Sequence, residues 1–350
     1  MTVRLGVVGV GWWACFNHIP TAMDHGGAEI VALADPDQAR LDKAGDAFAI
    51  EGRYRDFRDM LTAEALDGVM IATPHVLHTE SAVPALERGC HVMVEKPMAT
   101  SSAEARAISV AAEQAGKQVL VPCGWNFRDY TAAAAAMVRA GRIGQIQHIV
   151  CQMASALEDL FAGQPMVETA EHMFRPPPST WADPTKAGGY GWGQMSHSLA
   201  WVYYVTGLAP QAVFAMAGKS PAGVDYFDAA SVRMTNGVTM ALSGSATVPK
   251  HCGFHLDVRI FGTEGMLLFD VERERLELRR RDGRDEVIEM PPGSGAYDGA
   301  LPVIRFIEIC AGTGDQNAAD AVNGARVVDT LDALYRSVAS RKLEDVGEVS

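Results

Sequence analysis

Gly9, Gly11 and Ala14 stand in the spacing Gly-x-Gly-x-x-Ala, directly after the apolar, β-branched run of residues 3–8. Gly9 lets a chain leaving a strand turn tightly. Gly11 leaves no side chain where a pyrophosphate would approach the backbone, and Ala14 is small enough for a following helix to pack closely on the strand. The free N–H groups at the start of that helix, with its dipole, would face the phosphates. Asp35 ends a second apolar run, residues 29–34. An acid there can accept hydrogen bonds from both hydroxyls of an adenosine ribose. It would also repel a 2′-phosphate, which favours NAD, while Gln38 and Arg40 nearby keep NADP open. Asp35 has a structural reading too, as the N-cap of the helix that follows. Lys96 comes just after a third such run, residues 91–94, and Pro97 keeps it out of helical geometry. A lysine so placed can hydrogen-bond a substrate hydroxyl and relay its proton while hydride leaves the carbon, and partial burial would lower its pKa toward a useful range.

These groups act together only if the strand ends meet. The first third of the chain alternates apolar runs with helical patterns. Strands are expected at residues 3–8, 29–34, from Tyr54, and at 68–73, 91–94 and 118–122. Helices are expected at 13–24 (bent at Pro20), 37–49, 57–61, 79–88 and 102–116. Six strands with helices between them make a doubly wound parallel sheet, a Rossmann fold, whose ligands bind at the carboxyl ends of the strands. Gly9, Gly11, Asp35, Thr73-Pro74 and Glu95-Lys96 all fall there. From Cys123 the pattern changes. A helix at 132–140 precedes eight strand-like runs between residues 146 and 290, joined by Asn236-Gly237, Thr263-Glu264-Gly265 and Asp282-Gly283 turns. Helices at 194–206, 302–311 and 318–340 flank them. The expected fold class is therefore α/β: a Rossmann domain over 1–123 and an α+β domain over 124–350 with an open, mostly antiparallel sheet. The 318–340 helix, with Val327, Leu331, Leu334 and Tyr335 on its apolar side, is expected to pack back on the first domain.

Composition excludes several classes of function. The net charge of −13 argues against nucleic acid or an anionic membrane surface as partner. Arg279-Arg280-Arg281 is the one basic run and reads as a solvated hairpin edge. Six scattered cysteines, without CxxC pairs or zinc spacing, suggest reduced thiols in a cytoplasmic protein, and no apolar run reaches membrane-spanning length. The first residues lead directly into a strand, so no signal peptide is expected. His251 and His255 lack a carboxylate cluster and read as structural, so no metal is expected.

Taken together, the stretch from Gly9 to Ala14, Asp35-Pro36, the run from Ala72 to His78 and Glu95-Lys96-Pro97 resemble the signatures of the Gfo/Idh/MocA family, named for glucose–fructose oxidoreductase, inositol dehydrogenase and rhizopine catabolism. The resemblance continues through Gly124-Trp125-Asn126-Phe127-Arg128 and Gly141-Arg142-Ile143-Gly144 and covers essentially the whole chain. It implies an NAD(P)-dependent dehydrogenase of a sugar, cyclitol or sugar derivative, with the open sheet carrying the substrate pocket and often the subunit interface. By this resemblance Gly9, Gly11, Trp12, Trp13, Asp35, Thr73, Pro74, His75, His78, Glu95, Lys96 and Asn126 are expected at the cofactor. Lys96 is expected to be catalytic, and Asn126 and Arg128 to stand near substrate. A homodimer or homotetramer is expected.

The family's second motif is Gly-Gly-Gly, three residues, Asp, three residues, His. Here the matching stretch runs from Ala187 to His197, and Gly193 takes the place of the Asp. His197 is then the expected proton acceptor, with Lys96 as its electrostatic or relay partner. Gln194, or Tyr190 if the turn is helical, is expected to orient substrate. The segment 155–186 has little regular pattern; its Trp181 and carboxylates suit a sugar ring, and it reads equally as a structural loop or subunit contact. Two rival readings stand beside this one, and the missing acid gives weight to the first. One is an enzyme that uses tightly held NAD transiently for glycoside cleavage, elimination or isomerisation. The other is a non-catalytic NAD-sensing protein.

Overall fold

The computed structural model describes residues 2–314 and 316–347; Met1, Asp315 and residues 348–350, which the expected domain ranges include, lie outside them. The chain forms two compact units. The first comprises Met1–Pro122, Pro165–Thr180 and Gly299–Ala325, the second Cys123–Gln164, Trp181–Asp298 and Arg326–Ser350. The division is therefore not a single cut near residue 123, because two later segments return to the first unit.

The first unit is built on six parallel strands: β1 (Val3–Val8), β2 (Ala28–Ala34), β3 (Gly52–Tyr54), β4 (Gly68–Ile71), β5 (His91–Val94) and β6 (Val119–Leu120). Their order is β3-β2-β1-β4-β5-β6, so the direction of winding reverses between β1 and β4. β4 is buried throughout and β1 and β5 nearly so, which is why they read as continuous apolar runs. The helix expected at 13–24 is instead a π-helical turn, Ala14–His18, leading into α1 (Ile19–His25). Pro20 is the second residue of α1, just after the π turn. Four further helices, α2 (Gln38–Phe48), α3 (Phe57–Ala63), α4 (His78–Glu87) and α5 (Ser102–Ala115), lie within a residue or two of their expected bounds.

The second unit carries nine strands: β7 (Ile146–Ala154), β8 (Pro210–Lys219), β9 (Asp225–Met234), β10 (Thr239–Ser245), β11 (His255–Gly262), β12 (Gly265–Asp270), β13 (Arg275–Arg280), β14 (Glu286–Ile288) and β15 (Glu344–Asp345). Their order is β14-β13-β12-β11-β7-β10-β9-β8-β15, and only the β7–β10 pair is parallel. β15 is too short to leave a pattern in the sequence. At the β13–β14 hairpin Arg279 pairs with Asp285 at 2.9 Å and Arg280 with Asp282 at 2.9 Å, so the basic run is neutralised locally. The helices are α6 (Asp129–Arg139), the single turn α7 (Glu158–Phe161) and α9 (Ser196–Thr206), which is buried almost all round; residues 178–180 of the single turn α8 (Pro178–Trp181) group with the first unit. Trp201 of α9 stacks on Phe269 of β12 with ring centres 4.3 Å apart. Helix α10 (Ala300–Ala311) packs on α1 and over β1 and β5 in the first unit. Of α11 (Ala321–Ser340), residues 321–325 group with the first unit and 326–340 with the second. No helix among the described residues is long and apolar enough to cross a membrane.

Candidate active site

In the first unit the glycine turn rests on the end of β4. Gly9 has φ +86°, and a Cβ there would lie 2.8 Å from the main chain of Ala72 and Thr73. A Cβ on Gly11 would meet only Arg40 Nη1, at 3.9 Å, so the space a pyrophosphate needs is open. Asp35 is buried, its Oδ2 accepting from Val10 N at 3.1 Å and its Oδ1 from Asp37 N at 3.0 Å. The cap of α2 is Asp37, which accepts from Ala39 N and Arg40 N, so the N-cap reading of Asp35 gives way. Thr73 Oγ1 is buried without a hydrogen-bond partner among the described residues, as expected of a group awaiting a ligand. Pro74 is exposed and His75 buried, its ring 6.0 Å from that of His78.

His78 is fully buried, with Nδ1 2.8 Å from Pro97 O and Nε2 3.0 Å from Thr73 O. As a neutral imidazole the ring donates its one N–H to one of these carbonyls; fully buried between the Thr73 and Pro97 turns, it packs them together and presents no surface to the cofactor, which corrects the expectation for His78. Burial pushes its pKa down, against the two carbonyl contacts. Trp12 and Trp13 meet edge-on at 5.2 Å, and Trp12 Nε1 donates to His172 Nδ1 at 2.8 Å. Cys15 beside the turn is no nucleophile, since burial pushes its thiol up to about 12.

Lys96 follows β5, and the Lys96–Pro97 peptide is cis. Glu95 Oε2 accepts the Lys96 N–H at 3.1 Å, and Glu95 Oε1 lies 2.9 Å from Nε2 of His18. Burial alone would raise the Glu95 carboxyl, but the hydrogen bond from His18 and the charge of Lys96 outweigh it and hold the carboxyl below its usual range. Neither His18 nor its neighbour Asn17 carried a signal in the sequence.

In the second unit a π-helical turn, Gly191–Met195, leads directly into α9. Asp225 Oδ2 anchors its start by accepting from Gly191 N at 2.7 Å, and Tyr335 Oη donates to Asp225 Oδ1 at 2.9 Å. Asp228, three residues along β9, is buried; burial, then the Asp225 charge, push its carboxyl well above the usual range. His197 lies in the first turn of α9, only 5% exposed. Its ring meets Trp125 edge-on at 5.8 Å and Tyr297 at 4.9 Å; sequence reasoning had no means of finding Tyr297. Asn126 Nδ2 donates to Ala200 O in α9 at 3.1 Å, tying the Gly124–Phe127 turn to the histidine's helix. Arg128 pairs with Asp298 at 3.4 Å. Gln194 Oε1 and Ser196 Oγ are buried without a hydrogen-bond partner among the described residues.

Two expectations change here. Tyr190 was expected to share a face with His197 if the intervening turn were α-helical. A π turn advances differently, and Tyr190 is fully buried, its hydroxyl accepting from Ser155 Oγ at 3.3 Å. It is an interior tyrosine. At Gly193 a Cβ would lie 3.0 Å from both Phe161 Cζ and Trp181 Cζ3. Aromatic rings hold the space the family's Asp would enter, and Trp181, read from sequence as a sugar platform, is one of them.

Two family models match the chain in series. The NAD-binding Rossmann fold of the oxidoreductase family matches residues 3–122, and the GFO/IDH/MocA C-terminal domain matches residues 131–268. The D-apiose dehydrogenase of Paraburkholderia graminis is 38% identical over 165 residues, 47% of this chain and 44% of that protein. The match thus spans under half of that relative. D-xylose 1-dehydrogenase (NADP(+)) 2 of Haloferax volcanii is 24% identical over 335 residues, 95% of each chain. The structure of levoglucosan dehydrogenase in complex with NADH superposes with a TM-score of 0.79 at 20% identity, covering 100% of both chains. The order of the two sheets, the glycine turn on β4 and the paired domain models together make this chain a member of the Gfo/Idh/MocA oxidoreductase family, with its NAD-binding Rossmann domain at the N-terminus.

Proposed function

We propose that this protein is an NAD(P)-dependent dehydrogenase that oxidises a secondary hydroxyl of a sugar, cyclitol or sugar derivative, or reduces the matching ketone. The observation that carries the reading is Lys96: it follows β5, beside the β1–β4 reversal where the glycine turn lies, with its backbone held by Glu95. The names of the relatives, sugar dehydrogenases, support the substrate class. When bound, the nicotinamide accepts or returns hydride. The turn at Gly9 and Gly11 receives the phosphates, and Thr73 Oγ1 supplies a free hydroxyl. Each Asp35 oxygen accepts one backbone N–H, which leaves lone pairs for ribose hydroxyls and favours NAD. Lys96 holds the substrate hydroxyl and relays its proton, His197 accepts it, and Gln194, Asn126 and Arg128 orient substrate. The exposed Phe214, Met216 and Phe227 on one face of β8 and β9 support a homo-oligomer, which light scattering checks.

A panel of sugars, cyclitols and sugar acids with NAD and NADP, followed at the reduced-nicotinamide band with product mass analysis, tests the assignment. Turnover is expected for at least one member and should fall at least a hundredfold in Lys96→Met and His197→Ala. Wild-type turnover in His197→Ala would sink the assignment of the base.

A second reading keeps the cofactor and changes the net reaction, with held NAD used transiently. The segment 165–180 favours it. His172 takes the Trp12 indole N–H and stacks on Phe16 at 4.1 Å, while Phe174 lies under Arg40 at 5.6 Å and Lys43 at 5.1 Å. A strap so fastened beside Gly11 would slow exchange of dinucleotide. Nucleotide that survives purification, and turnover without net NADH, would select this reading.

A further inference from the structure

The first unit builds a continuous chain of contacts from the glycine turn to Lys96. The π turn Ala14–His18 begins three residues after Gly11 and ends on His18, which is fully buried. Asn17 Nδ2 donates to Gly299 O at 2.8 Å and faces His18 Nδ1 at 3.2 Å. The amide is therefore the donor and Nδ1 the acceptor, which leaves the proton on Nε2, 2.9 Å from Glu95 Oε1. The other Glu95 oxygen holds the Lys96 N–H at 3.1 Å. One carboxylate thus divides its two oxygens between a buried histidine of fixed tautomer and the backbone of the lysine. A histidine that merely filled the core would not need its tautomer set from one side and its donor spent on a carboxylate from the other.

We propose that His18 is a positioning residue for Lys96: it fixes the Glu95 carboxylate, which sets the direction of the lysine, and so joins the dinucleotide-binding turn to the proton-handling group. The inference rests on the role given to Lys96 above. Three groups from three elements bear on Glu95: His18 from the π turn, His78 from α4, and Lys96 itself. Removing the His18 donor leaves Glu95 less firmly ionised, so the ammonium of Lys96 loses part of its counter-charge and titrates at lower pH.

The test compares His18→Gln, which keeps a donor at the place of Nε2, with His18→Asn, which keeps one only at the place of Nδ1. With a confirmed sugar, His18→Gln should stay within threefold of wild-type kcat. His18→Asn should lose at least thirtyfold in kcat with KM for the sugar within threefold. The second readout needs no turnover: trace acetylation of Lys96 across pH, read by mass spectrometry. The pH of half-maximal labelling should move down by at least half a unit in His18→Asn and not in His18→Gln. If no sugar turns over, the functional reading fails while the labelling still decides this one. Equal profiles for the two variants, whether both wild-type or both shifted, overturn the proposal. Should His18→Asn not fold, Glu95→Gln must reproduce the labelling shift, and an unshifted profile there overturns it as well.

Discussion

Two glycines of one turn should fail in opposite ways. Gly9 adopts φ +86°, and its missing Cβ would sit 2.8 Å from the main chain of Ala72 and Thr73. In Gly9→Ala the left-handed conformation costs about 1–2 kcal/mol, and main-chain atoms that cannot rotate away add roughly 1–3 kcal/mol of overpacking. The sum, about 2–5 kcal/mol, lowers the melting temperature by roughly 5–20 °C for a domain of this size. Gly11→Ala meets only Arg40 Nη1, at 3.9 Å, so its stability should stay within about 0.5 kcal/mol of wild type. The same methyl stands where a phosphate must approach. Losing one charge-assisted hydrogen bond, about 1.5–3 kcal/mol, weakens NAD by roughly 10- to 150-fold. Differential scanning fluorimetry measures the first effect. Titration of tryptophan fluorescence with NAD measures the second, since Trp12 and Trp13 adjoin the turn. If Gly11→Ala binds NAD as wild type does, the phosphates do not lie at this turn. If Gly9→Ala melts with wild type, the close approach to β4 is not a constraint.

Asp228→Asn should flatten the pH dependence of stability. Burial and Asp225 raise the Asp228 carboxyl, so the folded state holds a proton that the unfolded chain releases above about pH 4, and stability falls as pH rises. Each unit of that raise is worth about 1.4 kcal/mol to the neutral variant at alkaline pH; parallel melting curves for variant and wild type between pH 5 and 8 would refute it. Gly193→Asp, which restores the family's acid, should cost about 1–3 kcal/mol by driving a Cβ to 3.0 Å from the Phe161 and Trp181 rings. Adding Trp181→Ala should recover part of that loss in a thermal melt, and a single variant as stable as wild type would show that the rings give way.

What the sequence made legible was local. The apolar runs of β1, β4 and β5 declare strands buried on both faces, and Gly9 after β1, Asp35 after β2 and Lys96 after β5 declare a crevice. What stayed hidden depends on contacts far apart in the chain. Nothing near His18 announces that its partner is Glu95, and nothing near His197 announces Tyr297. Tyr190 was misjudged for a different reason: α-helical spacing was applied across a π turn, whose advance per residue no composition reveals. Asp35 and Asp37 both suit a helix N-cap by type, and only the contacts distinguish them: Asp37 caps α2, while Asp35 accepts from Val10 N.

β6 is only two residues long, and its outer side is not left open. Val121 N donates to Ala319 O at 2.8 Å, and Asn317 Nδ2 donates to Val119 O at 2.7 Å. The edge of the first sheet is therefore sealed by residues that a ribosome makes nearly two hundred residues later. At about 5–20 residues per second, the nascent sheet spends roughly 10–40 s with that edge bare. An uncovered strand edge is a template for pairing with other chains. During synthesis this edge is thus open to pairing until residues 317–319 arrive, and the short length of β6 limits what it can capture.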